Sequence, residues 1–156
     1  MTGADILLNV GGNVLAMLPN VLVQVRRGAL TLQDFGAVVS HARRLASTTK
    51  GNLAFIAVVE PMAEAPTSEV RARQKEFIAQ MVERLDVRMG VVILGNDIGA
   101  TMRRTMARVL VPGHGRLRVV ATVPEACGFV ASHVGLTARA LEELTREARE
   151  AAQRTG

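Results

Sequence analysis

The chain has 156 residues, 49% hydrophobic and 21% charged, which suits one domain with a full core and is unlike a disordered composition. Its net charge of +5 rests almost wholly on arginine, and the pairs Arg26-Arg27, Arg43-Arg44 and Arg103-Arg104 lie far apart. Scattered charge, with four Phe and neither Tyr nor Trp, excludes a specific nucleic-acid face built from a basic patch and stacking rings.

The chain opens with three short apolar segments, Ile6 to Val10, Val14 to Leu18 and Val21 to Val25, separated by Gly11-Gly12-Asn13 and Pro19-Asn20. These turn signals predict antiparallel strands on one flank of a sheet. Asp5 precedes the first segment and no basic stretch leads into an apolar run, so neither a signal peptide nor a membrane span is expected, and the expected location is cytoplasmic. Thr31, with Asp34 three residues on, opens a helix whose apolar side is Leu32, Phe35, Val38, Val39, Ala42 and Leu45.

Asn52 to Glu60 follows, and its run Leu53 to Val59 is apolar without interruption. Such a run reads as a central parallel strand covered on both faces. A second helix is capped by Thr67 or Ser68 and buries Val70, Phe77, Ile78, Met81, Val82 and Leu85. Gly90 reads as the turn before a strand Val91 to Leu94. Asp97 then caps a third helix whose apolar side carries Ile98, Met102, Met106, Val109 and Leu110, and Pro112, Gly113, His114 and Gly115 stop it. Arg116 to Thr122 alternates as a strand near an edge. Pro124 starts a fourth helix through Val134, and residues 137–154 form the last, with Leu141, Leu144, Ala148 and Ala151 on a stripe.

Strands alternating with helices predict an α/β fold: antiparallel N-terminal strands, a parallel βαβαβ core and helices packed on the sheet, in one domain over residues 1–156. Ligands of such sheets gather beyond the carboxyl ends of the strands. That rule selects a rim containing Glu60, Thr67, Ser68, Asn96, Asp97, Thr122 and Glu125.

The order of elements resembles the STAS fold of anti-sigma-factor antagonists and the broader group of SpoIIAA-like domains. The matching stretches are VLVQVRRGALTLQDF, NLAFIAVVEP, VVILGN and RLRVVATVPEACGFV, across residues 14–135. The resemblance implies a bacterial, non-enzymatic signalling module that docks a regulatory protein partner. It also implies a phosphorylatable Ser at the start of the helix after the central strand, in an Asp-Ser-Ser-Gly setting. The corresponding stretch here is Ala65-Pro66-Thr67-Ser68-Glu69, which keeps the hydroxyl and lacks the Asp, the paired serines and the Gly.

Each rim residue carries a functional and a plain structural meaning. Thr67 and Ser68 are phosphosite candidates or helix caps. Asn96 and Asp97, in a turn with Gly95 and Gly99, contact a partner or shape the entry to the third helix. Arg103 and Arg104 hold an anion or an acidic partner, or form a solvated helix face. Glu60 and Glu125 are rim acids, which with Asp97 make a carboxylate set or merely end a strand and match helix dipoles. His41, His114 and His133 have no metal-ligand spacing, and the lone Cys127 reads as core filler. No catalytic set, metal or cofactor is indicated. The competing function is a small-ligand or lipid carrier, or a small enzyme, using the same rim with a pocket lined by Met62, Met102 and Met106. A homo-oligomer, through an exposed strand edge or the last helix, is the third expectation.

Overall fold

Leu53–Val59, the longest apolar run, is the inner strand β4 of a six-stranded sheet. A computed structural model describes residues 5–84, 86–110 and 115–155, leaving the side chains of Leu110 and Thr155 aside. Leu85, Pro112, Gly113 and His114 lie outside the described residues. Strands β1 (Asp5–Val10), β2 (Asn13–Leu18) and β3 (Val21–Arg26) form an antiparallel meander. From β3 onward the sheet is parallel through β4, β5 (Val87–Ile93) and β6 (Leu117–Val120), in the order of the sequence. Phe55 pairs with Met89 and Val59 with Ile93, as the reading of two neighbouring parallel strands requires.

Alternation along each strand sends side chains to two cores. Leu15, Leu22, Phe55 and Met89 face α1 (Leu32–Thr48) and α2 (Ser68–Val82). Three of the four Phe lie here: Phe77 meets Phe35 edge to face at 6.0 Å and stacks on Phe55 at 6.3 Å. Val14, Val23, Ile56 and Val92 face α4 (Val123–Ala131) and α5 (Ala138–Thr155) on the other side. There α5 lies over β1 to β3 and α4 over β4 to β6, joined by a short 3-10 turn, Ser132–Val134. The continuous apolar character of β4 therefore has its expected cause. Among the described residues no helix is long and apolar enough to cross a membrane.

Two sequence readings need correction. Gly90 is no turn; it sits in the middle of β5, paired with Ile56 and Arg118. A Cβ there would stand 3.0 Å from the Cβ of Ala126, so the glycine marks where α4 presses on the sheet. The strand begins at Val87, disguised by Arg88, which reaches the carbonyl of Phe129 at 3.3 Å while its guanidinium covers that ring.

The second correction concerns α3 (Ile98–Leu110), whose apolar side faces solvent. Ile98 is 80% exposed, Met102 58%, Met106 52% and Val109 74%. Periodicity reports a stripe without saying which way it turns. Here the opposite side is held to the sheet by buried Ala100 and by arginine donors.

Candidate functional site

The carboxyl ends of β3, β4 and β5, with the starts of α2 and α3, form the rim. Gly95 makes the tight entry to α3, at φ 127°, and a Cβ on it would lie 2.9 Å from that of Ala100. Asp97 then caps α3, its Oδ1 accepting from the amide of Ala100 at 2.8 Å. Arg104, two turns later, donates Nη1 to the carbonyls of Ile93 (2.6 Å) and Gly95 (3.1 Å). Arg108 donates to the carbonyl of Val119 at 3.0 Å. The arginines thus satisfy carbonyls along the last two strands.

The other predicted rim residues are accounted for one by one. Thr67 Oγ1 accepts from the amide of Val70 at 3.3 Å and is the cap of α2, while Ser68 is the first, exposed residue of that helix. Thr122 caps α4: its hydroxyl accepts from the Glu125 amide at 3.4 Å and donates to Glu125 Oε1 at 2.9 Å. Asn96 is exposed in the turn before Asp97.

Glu60 is buried, at 3% exposure, and takes two hydrogen bonds from Arg149 of α5. Glu60, Asp97 and Glu125 are therefore each tied to a different local partner. Among the described residues no group of three His, Cys, Asp or Glu could hold a metal.

Met62, Met102 and Met106, expected to line a pocket, are all more than half exposed. A cavity of about 470 Å³ lies elsewhere, as an open groove between α1 and α2. Leu32, Val39 and Phe77 are among its apolar walls, with Arg43 and Arg73 at its polar edges. His133 Nε2 lies 2.9 Å from the carbonyl of Asp86, a structural link below the sheet. Cys127 is buried on α4, and burial pushes its thiol up to about 11.

Arg26 is the rim residue that sequence reasoning missed. It is 7% exposed, its Nη2 donates to the carbonyl of Glu64 at 2.7 Å, and its Nε has no acceptor. Burial, and secondarily the positive charge of Arg103, push its pKa below the ordinary arginine value. The available signal was alternation in Leu22-Val23-Gln24-Val25-Arg26, which places Gln24 and Arg26 on the same face as buried Leu22.

Compared with protein-family models, with curated proteins and with solved structures, the chain finds no match in any of the three.

Proposed function

We propose that this chain is a non-enzymatic regulatory module of the STAS or SpoIIAA-like kind, acting in the bacterial cytoplasm by docking a protein partner on α3 and the adjoining rim. The observation that carries this reading is the outward stripe Ile98, Met102, Met106 and Val109. A contiguous exposed apolar stripe beside a polar rim is the usual mark of an interaction surface. The helix also carries Arg103, Arg104 and Arg108 and no acidic residue. Charge complementarity therefore selects a partner that presents apolar anchors flanked by Asp or Glu, such as an acidic amphipathic helix.

Ser68 is the residue through which such docking is regulated. Its neighbour Thr67 is occupied as the cap, whereas a phosphate on Ser68 would stand, exposed, in the first turn of α2.

Photo-crosslinkers placed at Met106 and, as a control, at Gln80 in the α1–α2 groove test the reading in cells. The expected product at Met106 is one partner, joined through a peptide rich in acidic and apolar residues and lost in the Met102→Asp variant. The same products from both positions, or self-crosslinks alone, would overturn it.

A further inference from the structure

Two charged side chains are buried at the carboxyl end of the sheet, and the protein treats them differently. Glu60 lies on the α5 side and is neutralised by a two-pronged bond to Arg149. Arg26 lies at the end of β3 on the opposite face, with the residues that line the α1 and α2 core. The backbone joins the two positions, since the Glu60 amide donates to the Arg26 carbonyl at 2.9 Å. Yet the Glu60 carboxylate is turned away across the sheet and already taken. The nearest loop supplies Arg26 with the carbonyl of Glu64 and no carboxylate, and among the described residues it forms no ion pair.

A guanidinium stays charged in a protein, and burying a cation without a counter-charge is strongly unfavourable, so burial of this kind calls for an anion. The surroundings add a second cation where an acid would relieve the first. Arg103, on the second turn of α3, bears on Arg26 with its own positive charge and makes no hydrogen bond or ion pair among the described residues. Its neighbours Arg104 and Arg108 spend their donors on strand carbonyls, which leaves Arg103 as the free guanidinium. Perturbed, partly buried charges at the carboxyl ends of parallel strands are where ligands of such sheets bind.

We propose that Arg26 and Arg103 together bind a small doubly charged oxyanion of the phosphate class at the carboxyl end of the sheet, between the end of β3 and the second turn of α3. Two guanidinium groups match the charge of a phosphate or phosphate monoester, and each offers the paired donors that such oxygens accept. A single carboxylate would leave one positive charge unbalanced. The site shares Arg103 with the surface proposed for docking but does not use the apolar stripe, so phosphate binding and the Met106 crosslink are separate readouts.

The test uses the full chain in low-salt buffer, with inorganic phosphate, methyl phosphate and acetate compared at matched ionic strength by thermal shift and calorimetry. Both phosphates should raise the melting temperature and acetate should not. Tighter binding of methyl phosphate assigns the site to a phosphoryl group carried on a larger molecule; tighter binding of inorganic phosphate assigns it to the free ion. Arg103→Gln, at a partly exposed position that leaves the core intact, should weaken either by roughly tenfold or more. Arg26→Met should abolish the phosphate shift, and Arg26→Lys covers the case in which the methionine variant does not fold. No phosphate-specific shift in the unaltered protein, or a shift retained in full by Arg103→Gln, would overturn the assignment.

Discussion

Arg149 grips Glu60 with two hydrogen bonds, Nε to Oε2 at 2.6 Å and Nη2 to Oε1 at 2.9 Å, tying the end of the central strand to the last helix. The Glu60 side chain is 4% exposed and that of Arg149 34%. Removing the arginine strands a carboxylate in the interior, whereas removing both charges leaves apolar contacts. Partial access of water to Arg149 moderates the loss. Arg149→Met should cost about 2–3 kcal/mol in urea unfolding, and Glu60→Met combined with Arg149→Met should cost less than the single change. A double variant weaker than the single one would show that the pair contributes nothing through its charges.

The contact of Gly90 with Ala126 gives a second measurable effect. A methyl group at position 90 meets the Ala126 Cβ at 3.0 Å and its Cα at 3.3 Å, so helix and sheet must part slightly. Gly90→Ala should therefore destabilise by about 1 kcal/mol and Gly90→Val by about 3 kcal/mol. Ala126→Gly should recover part of the first loss, and a double-mutant cycle reads the coupling directly. Additive effects would mean that α4 does not approach β5 so closely.

The inverted orientation of α3 makes opposite forecasts for its two sides. Ile98→Ser and Val109→Ser should each change stability by no more than about 0.5 kcal/mol, despite deleting large apolar groups. Arg104→Ala should cost about 1–2 kcal/mol, because the carbonyls of Ile93 and Gly95 lose their donor. If the serine variants were the damaging ones in thermal melts, the helix would pack by its apolar side.

Cys127 supplies a pH signature. Burial raises its thiol to about 11, above the ordinary value of 9.0, so the unfolded chain releases this proton first. The resulting stabilisation is complete below about pH 9 and disappears as the pH rises toward about 11. Denaturant titrations at pH 8 and pH 10.5 should show a loss that Cys127→Ala reduces. With no tyrosine in the chain, Lys50 and Lys75 are the side chains left to titrate nearby, and they are common to both proteins. Alkylation of the native thiol at pH 8 should proceed no faster than the chain opens.

The sequence by itself determined the local elements and their succession. The uninterrupted apolar run read as a strand covered on both faces, and Thr31, Thr67 and Asp97 announced helices because their side-chain oxygens serve free amides. The antiparallel start and parallel continuation followed from turn length and alternation with helices.

Tertiary structure alone decided which side of α3 meets the sheet, since a stripe at helical spacing has no label for inside or outside. It alone decided that Gly90 is a packing site, because the reason for that glycine is Ala126, thirty-six positions away. The rim was legible as a place but not as chemistry. Glu60 and Arg149, distant in the chain, cancel each other, while Arg26 is left charged and enclosed. Such pairing depends on distances across the fold, which no local pattern of residues records.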